Sequence, residues 1–418
     1  MRAQIISIGD EILIGQTVNT NASFIGEHLT SLQIDVVRVL TIGDDDEMIM
    51  STLESASKHS DLIILTGGLG PTHDDITRSC IVRYFDTELI RNDLVLEDIR
   101  ERFKVRGRKV TKINEEQALV PKIADVIRNS RGTAPGLWIE KDDKIFVVMP
   151  GVPHEMEEMM RETVIPRLKE TLGEKKEFVE IKNFLTTGIA ESYLYEALGD
   201  LDELLKGAKL AFLPNQFGVK LRVTVKGNSE EEAHNKLTEL EQKIRASAGR
   251  YIYGKDNDTL EDVVARLLTD RGVTISTAES CTGGLIANRL TNISGSSKYL
   301  ERGVVAYSNA AKVEMLKVDE DLIQKYGAVS LEVARLMAEG IKAVSGTDIG
   351  LAVTGIMGPT GATPDKPIGL VYIGICDDKI CTAKEFRFGD NRIMNKERTS
   401  QAALDMLRRN LLGITYDD

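Results

Sequence analysis

The chain begins with short, continuous apolar runs that alternate with longer segments in which apolar residues recur every three or four positions. The apolar runs predict strands at 4–8, 35–40, 62–66 and 145–149, and the periodic segments predict helices at 21–32 and 46–58. Apolar strands that alternate with amphipathic helices are typical of a mostly parallel sheet with helices on both faces. The pattern therefore predicts an α/β domain over residues 1–170.

A different pattern follows over residues 175–253. It predicts strands at 178–186, 209–212 and 219–226 and helices at 190–198 and 230–248. The long helix is preceded by Asn228 and Ser229 and opens with three glutamates, which is the signature of a capped helix N-terminus. We predict a small α+β module with an antiparallel sheet, followed by a hydrophilic linker at 254–258.

The α/β alternation returns over residues 257–414, which we assign to a third domain. Helices are predicted at 259–270, after a glycine turn up to 291, from near Asn309, from near Ser330 and at 391–411, and strands at 273–277, 303–307, 349–354 and 370–376. Each α/β domain ends its strands in glycine-rich turns, so each is expected to bind a ligand of its own.

Length, composition and charge narrow the class of protein. The chain has 418 residues, of which 42% are hydrophobic and 28% are charged, as in a soluble protein of two to four domains. A net charge of −12 argues against a nucleic-acid partner and favours small phosphate ligands. No apolar stretch approaches the roughly 20 residues of a membrane span, so we expect no membrane partner and a cytoplasmic location.

The cysteines are spaced like neither a zinc site nor a redox dithiol. They are Cys80, Cys281, Cys376 and Cys381. We expect all four to be reduced.

The most informative motif is the glycine turn Ala278-Glu-Ser-Cys-Thr-Gly-Gly in the third domain. Gly283 and Gly284 allow a ligand close to the backbone, and amides that open a helix favour an anion or a developing oxyanion. The turn suits acyl transfer or phosphate binding, or is an ordinary strand-to-helix loop. Of its two nucleophile candidates we prefer Ser280, because a cysteine beside such a turn, here Cys281, is more often a small buried filler.

A serine nucleophile needs a base, and histidine cannot supply it within this domain. The five histidines, all earlier in the chain, are His28, His59, His73, His154 and His234. The segment 305–312 offers Tyr307 at a strand end and Lys312 in the first turn of a helix, where the positive helix terminus lowers a lysine pKa. A Ser-Tyr-Lys constellation follows, although a solvated Lys312 and a packing role for Tyr307 fit the spacing equally well.

Two further features of the third domain suggest a ligand site. A long loop rich in glycine, proline and threonine follows the strand that ends near Thr354, at the edge of the sheet where α/β proteins bind ligands. Arg392 and Arg398 lie on the last helix, where they either clamp a phosphate or face solvent.

In the first domain, the strand 62–66 opens into a glycine turn with two adjacent acids, Asp74 and Asp75. Glycine amides hold phosphates, and carboxylates hold a divalent ion that bridges to them. Acidic residues also follow the first two predicted strands, and Asp44 is the one that follows the second. These residues predict a pyrophosphate site, with the alternative that Asp74 or Asp75 only caps the next helix.

Residues 259–412 resemble the C-terminal domain of the CinA family, the nicotinamide mononucleotide deamidases. The resemblance rests on the motif at 278–284, on Val305-Ala-Tyr-Ser-Asn-Ala-Ala-Lys and on Thr354-Gly-Ile-Met-Gly-Pro. It implies hydrolysis of the nicotinamide carboxamide to the acid and ammonia, without a cofactor. By this resemblance Ser280 attacks the amide carbon and Lys312 with Tyr307 handles the proton. The remaining implied contacts are oxyanion or phosphate binding by the amides of Thr282, Gly283 and Gly284, and a pocket lined by Thr354 and Gly355.

Residues 1–168 resemble the molybdopterin-binding fold of CinA N-terminal domains, and the middle module matches the same family through Leu213-Pro-Asn-Gln-Phe-Gly-Val-Lys-Leu-Arg. The resemblance implies a three-layer domain, a homodimer, and an ADP-ribose pyrophosphatase that uses a divalent metal and potassium. The implied metal ligands are Asp44, Asp74 and Asp75, and the implied phosphate ligands are Thr66, Gly67, Gly68 and Thr72. Alternatives are a non-hydrolytic molybdopterin or nucleotide binding module, and an interaction protein linked to DNA uptake, which the charge disfavours.

Overall fold

The computed structural model describes residues 1–72, 75–105, 107–173 and 178–415. The chain divides into two compact units, Met1–Glu177 and Phe178–Asp418. The second unit holds both the middle module and the third predicted domain. Within the described ranges, no helix combines the length and apolar character that a membrane crossing needs.

The first unit is built on a six-stranded sheet with the order β2-β1-β3-β8-β7-β6, plus a two-stranded β4-β5 ribbon. Its strands are β1 (Arg2–Ile8), β2 (Asp35–Ile42), β3 (Leu62–Thr66), β4 (Leu89–Arg91), β5 (Leu119–Pro121), β6 (Asp125–Ile127), β7 (Gly136–Lys141) and β8 (Lys144–Met149). Its helices are α1 (Asp10–Leu13), α2 (Thr20–Ser31), α3 (Asp46–His59), α4 (Thr77–Tyr84), α5 (Asp93–Val105), α6 (Lys112–Glu116), α7 (Pro153–Met159) and α8 (Ile165–Leu172), with a π-helical turn Met160–Val164 between the last two.

Both faces of this sheet are buried, because successive residues of β1 enter different cores. Ile5 packs in one core with Ile25 of α2, and Ile6 packs in another with Leu53 of α3. The predicted three-layer α/β domain is confirmed. The first four strands of the order are parallel as predicted, whereas β7 and β6 are antiparallel additions.

The middle module is an antiparallel sheet with the order β10-β11-β9-β12, covered by helices. Its elements are β9 (Phe178–Thr186), α9 (Glu191–Leu198), α10 (Leu201–Leu205), β10 (Lys209–Asn215), β11 (Gly218–Gly227), α11 (Glu230–Ala248) and β12 (Ile252–Lys255). The predicted α+β module is confirmed. The prediction of a linker from residue 254 is wrong at its start, because residues 252–255 pair with β9 as an edge strand.

The third domain has a five-stranded sheet with the order β14-β13-β15-β16-β17. Its strands are β13 (Ile275–Glu279), β14 (Leu300–Val305), β15 (Ile349–Gly355), β16 (Leu370–Cys376) and β17 (Cys381–Arg387). Its helices are α12 (Leu260–Arg271), α13 (Leu285–Thr291), α14 (Asn309–Leu316), α15 (Glu320–Tyr326), α16 (Leu331–Ser345) and α17 (Arg392–Leu412), with a 3₁₀ turn Ser296–Lys298.

Strands β14, β13 and β15 run parallel, so the segments after β13 and β14 leave the same edge of the sheet. Cores on both faces bury this sheet: α12, α13 and α17 cover one face, and α14, α15 and α16 cover the other. The α/β class is confirmed. Strand β13 extends two residues beyond the predicted strand and therefore includes Glu279.

One expectation about the cysteines is wrong. Cys376 and Cys381 lie opposite each other across the β16–β17 hairpin and form a disulfide. The sequence spacing did not indicate it, because β17 was not predicted. Cys80 and Cys281 are free thiols, as expected, and both are buried.

Candidate active site

Ser280 lies immediately after β13, at the start of the turn to α13. Its backbone N–H donates to the Val353 carbonyl of β15 at 3.1 Å. The residue is 8% exposed. The turn is therefore held by the central strands of the sheet and presents the serine at the sheet edge, where the motif predicted a nucleophile.

Lys312 is buried beside the serine rather than solvated. Its exposed fraction is 1%, and Nζ lies 3.2 Å from Ser280 Oγ. The same nitrogen donates to the main-chain carbonyls of Ala306 at 3.0 Å and Tyr307 at 3.1 Å. Burial lowers the pKa of the Lys312 amine.

These contacts suit a neutral lysine that acts as a base. A neutral amine has two N–H groups and one lone pair. If the two N–H groups bind the two carbonyls, the lone pair faces the Ser280 hydroxyl. The main chain of residues 306 and 307 thus orients Lys312 towards the proton that a serine nucleophile must lose.

Tyr307 contributes to this arrangement through its main chain. Its side chain is 62% exposed, and its hydroxyl accepts a hydrogen bond from Arg392 at 3.5 Å. Its contact with Lys312 is made by the carbonyl. The structure therefore brings together Ser280 and Lys312 as predicted but places the Tyr307 phenol at the rim, because β14 ends two residues earlier and Tyr307 lies beyond the strand.

Glu279 is the residue that the sequence analysis missed. Its side chain is buried, and its carboxylate accepts three backbone N–H groups, from Gly284 at 2.9 Å, Ile286 at 3.1 Å and Ala287 at 2.8 Å. The predicted oxyanion role of the Gly284 amide is therefore corrected, since that amide already binds Glu279. An acid directly before a glycine turn that opens a helix was the available signal.

The rest of the turn is tightly packed. The Thr282 side chain is fully buried, and its Oγ1 has no hydrogen-bond partner among the residues that the structure describes. Gly283 adopts φ 64°, and a Cβ added there would lie 3.6 Å from Lys396 Nζ. Burial raises the pKa of the Cys281 thiol to about 12, which fits a packed filler rather than a thiolate nucleophile.

Ser280 and Lys312 open into a cavity of about 200 Å³. The residues that line it are Ser280, Cys281, Tyr307, Lys312, Ala328, Val329, Thr354, Gly355, Met357 and Arg392. Thr354 Oγ1 donates to the Ala328 carbonyl at 2.8 Å, and a Cβ at Gly355 would lie 2.7 Å from Val371 Cγ2. Both predicted pocket residues thus lie in the wall of the cavity.

Hydrogen bonds from Lys366 hold the long loop after β15 beside this cavity. Lys366 donates to the Tyr326 carbonyl at 2.9 Å and to the Val329 carbonyl at 2.7 Å. Val329 and Met357 both line the cavity, so the loop contributes directly to its wall, as its position in the sequence predicted.

The two arginines predicted to bind phosphate lie in different cavities. Arg392 lines the Ser280 cavity and donates to the Gly358 carbonyl at 2.8 Å. Arg398 instead lines a second cleft, of about 670 Å³, between the middle module and the third domain. Six residues along a helix correspond to about 9 Å and about 240° of rotation, so the two side chains point to different surfaces.

In the first unit, the glycine turn after β3 has the backbone that was predicted for phosphate binding. Gly67 and Gly68 adopt φ of 108° and 65°, and a Cβ on Gly67 would lie 2.1 Å from the Ile8 carbonyl oxygen. Thr66 is buried at the end of β3. The Thr72 amide and hydroxyl both donate to the Asp75 carboxylate.

The acidic residues of this unit are distributed over several loops. Asp10 and Asp44 each donate a backbone N–H to the other's carboxylate, at 3.2 and 3.3 Å. Asp74 lies outside the described residues. Within the described ranges, no three His, Cys, Asp or Glu side chains form a group that could hold a metal ion.

Three family models match the chain. They are the CinA C-terminal domain over residues 257–411, a probable molybdopterin binding domain over 4–170, and the damage-inducible protein CinA KH domain over 182–254. The first two families are those that the sequence motifs indicated. The third adds a KH assignment for the middle module.

Solved structures resemble single portions of the chain. The CinA protein of unknown function from Thermoplasma acidophilum is 36% identical, with a TM-score of 0.37, and covers 39% of this chain and 97% of its own. A competence/damage inducible protein from Agrobacterium tumefaciens is 41% identical, with a TM-score of 0.36, and covers 37% of this chain and 93% of its own.

Curated relatives match over the full length. A putative competence-damage inducible protein from Caldicellulosiruptor saccharolyticus is 45% identical over 99% of this chain and 100% of its own length. A CinA-like protein from Chloroherpeton thalassium is 43% identical over 98% of this chain and 99% of its own length. Because these relatives match over nearly the full length of both chains and all three family models match, the chain belongs to the CinA family.

Proposed function

We propose that the third domain is an amidohydrolase that converts nicotinamide mononucleotide to nicotinate mononucleotide and ammonia. The observation that carries this proposal is the 3.2 Å contact between Lys312 Nζ and Ser280 Oγ in a buried site. A serine paired with a neutral base is the arrangement that nucleophilic attack on an amide requires.

The chemistry follows from this pair. Lys312 takes the hydroxyl proton as Ser280 Oγ bonds to the carboxamide carbon, and a tetrahedral oxyanion forms. When the C–N bond breaks, Lys312 returns the proton to the leaving nitrogen, and ammonia departs. Lys312 then takes a proton from a water molecule, which attacks the acyl-serine. As the bond to Oγ breaks, Lys312 returns this proton to Oγ, which restores the Ser280 hydroxyl and the neutral lysine and releases the acid product. This sequence needs no cofactor.

The oxyanion requires hydrogen-bond donors, and the turn offers fewer backbone N–H groups than the sequence predicted. Because Glu279 occupies the Gly284 amide, the amides of Thr282 and Gly283 remain from the predicted three. Backbone N–H groups aimed at a developing oxyanion are a large source of rate enhancement in acyl transfer. We therefore assign oxyanion stabilisation to residues 282 and 283.

The size of the cavity indicates how the nucleotide lies. A volume of about 200 Å³ is below the roughly 300–1,000 Å³ of clefts that hold a whole drug-sized ligand. The nicotinamide ring with its carboxamide is the part that enters. The ribose and phosphate then lie outside, on the side of Arg392.

Ammonia release from nicotinamide mononucleotide tests this proposal directly. We expect purified protein to release ammonia without added metal, Ser280→Ala to abolish the release, and Cys281→Ala to retain it. Thermal unfolding followed by circular dichroism establishes that both variants are folded. Full activity in Ser280→Ala, or loss only in Cys281→Ala, would show that the nucleophile is misassigned.

For the first unit we propose metal-dependent cleavage of ADP-ribose to AMP and ribose 5-phosphate. The supporting observations are the glycine turn with positive φ at Gly67 and Gly68 at the end of β3, and the carboxylates of Asp44 and Asp75 in other loops of the unit. Asp44 and Asp75 are hard oxygen donors of the kind that suits Mg²⁺, which is often bound by one or two carboxylates plus substrate phosphates. Such an ion would neutralise phosphate charge during cleavage, and potassium is the proposed second cation.

The assay for this second activity is AMP formation from ADP-ribose across several divalent metals, with and without potassium. We expect activity in the wild type and its loss in Asp75→Asn. Absence of AMP with every metal would favour the alternative, a non-hydrolytic molybdopterin or nucleotide binding module.

We also propose that the protein acts in the cytoplasm as a homodimer, with small nucleotides rather than nucleic acid as its ligands. Light scattering on the purified chain measures the oligomeric state, and a monomer mass would contradict the dimer.

A further inference from the structure

The anion-binding surface of the third domain differs from the one that its glycine turn suggests. Helix α13 opens directly after this turn, but the Glu279 carboxylate accepts the N–H groups of Gly284, Ile286 and Ala287. A second anion at this helix terminus would meet a buried acidic side chain instead of free donors. The phosphate of a nucleotide must therefore be bound elsewhere.

Two cations of α17 lie beside the same turn. Arg392 lines the Ser280 cavity, and Lys396 Nζ lies 3.6 Å from the position that a Cβ would take on Gly283. Residues four apart on a helix lie on one face, so both side chains belong to the same surface. Gly283 keeps the space between its backbone and the Lys396 ammonium free of a side chain.

Both cations are available to a ligand. Arg392 donates to the Gly358 carbonyl and to the Tyr307 hydroxyl, and within the part of the chain that the structure describes neither Arg392 nor Lys396 forms an ion pair with a carboxylate. Lys312, the other cation at the cavity, already contacts Ser280 and two carbonyls. Arg398 lies in a different cleft.

We propose that Lys396, together with Arg392, forms a phosphate-monoester subsite at the rim of the Ser280 cavity. The subsite selects nicotinamide mononucleotide over nicotinamide riboside, which lacks the phosphate. This proposal rests on the proposed deamidase function. A guanidinium supplies paired donors and an ammonium supplies a point charge, which together match a terminal phosphate. Lys396 is thus a specificity residue and takes no part in proton transfer.

The test compares two substrates that differ only in the phosphate, nicotinamide mononucleotide and nicotinamide riboside. We expect Lys396→Ala to lower kcat/KM for the nucleotide at least tenfold through KM, while the rate with the riboside stays at the wild-type value. Lys396→Arg should recover most of the loss. Arg398→Ala, six residues away from Arg392 on the same helix, is the matched control and should leave both substrates unaffected.

Two outcomes overturn the subsite: an equal loss with both substrates in Lys396→Ala, which indicates a structural role, or no change with either. If the wild type releases ammonia from neither substrate, the deamidase function has failed, and the subsite is tested by equilibrium dialysis with radiolabelled inorganic phosphate. Weaker binding in Lys396→Ala than in Arg398→Ala then supports the subsite, and equal binding refutes it.

Discussion

Replacement of Glu279 by glutamine tests whether the nucleophile turn is held in place by a buried carboxylate. The wild-type side chain uses Oε2 for the amides of Gly284 and Ile286 and Oε1 for the amide of Ala287. Glutamine is nearly isosteric but has one carbonyl oxygen and one NH2 group. We expect Glu279→Gln to destabilise the third domain and to lower deamidase activity together.

The magnitude follows from the three hydrogen bonds. The glutamine oxygen can keep the two amides that Oε2 accepts, but its NH2 group then faces the Ala287 N–H, and that bond is lost. A hydrogen bond to a charged group contributes about 1.5–3 kcal/mol, and a negative charge at a helix N-terminus adds about 0.3–1 kcal/mol. We expect a loss of about 2–4 kcal/mol in the free energy of unfolding, which lowers Tm by about 5–15 °C for a domain of this size.

The activity loss has a geometric cause. The amide of Gly284 fixes the end of the turn that begins at Ser280, so a weakened anchor lets the nucleophile and the oxyanion donors move. A displacement of about 1 Å can cost about 10²-fold in rate. The assay is ammonia release from nicotinamide mononucleotide well below the Tm of the variant, with thermal unfolding measured on the same preparation.

The matched control is Glu314→Gln, an exposed glutamate on α14 in the same domain. It removes the same charge without touching the turn, and we expect wild-type stability and activity. Wild-type Tm and kcat in Glu279→Gln would refute the proposed anchoring. Reduced stability with full activity would limit Glu279 to a structural role.

Further predictions concern the base. Lys312→Met keeps a buried unbranched side chain but removes the amine, so we expect kcat to fall by about 10²–10⁴-fold in the ammonia assay while circular dichroism remains unchanged; wild-type kcat would exclude Lys312 as the base. Because burial lowers the pKa of Lys312 and only its neutral form accepts a proton, kcat/KM should rise with pH through that pKa and level off below the range of a free lysine. A profile from pH 6 to 10 that falls or stays flat would contradict this assignment.

Sequence periodicity was sufficient for the fold class because the apolar strands of both α/β domains are buried on both faces. β3 and β15 each lie in a fully covered sheet, and both were visible as apolar runs. Short or edge strands carry no such signal. β12 pairs through its backbone at the edge of the middle sheet, and so a hydrophilic stretch that begins at residue 254 was mistaken for a linker.

The base of the candidate site was predictable from the sequence because the usual base, histidine, could be excluded. The absence of histidine after residue 259 directed attention to Lys312, and the structure places its amine beside Ser280. The direction of a side chain was not predictable from spacing. Arg398 lines a different cleft, the Tyr307 phenol lies at the rim of the Ser280 cavity, and Glu279 occupies an amide that had been assigned to the ligand.

The site also explains how a serine can be paired with a lysine in place of histidine and aspartate. In a Ser-His-Asp triad, the aspartate orients the base and fixes its tautomer. Here the carbonyls of Ala306 and Tyr307 perform the orienting function, because they take the N–H groups of Lys312 and leave its lone pair towards Ser280. Neutral carbonyls do not stabilise a protonated base as a carboxylate does, so burial favours the neutral amine that the first step needs. The one buried carboxylate in the turn, Glu279, accepts backbone amides instead and so holds the turn that carries the nucleophile.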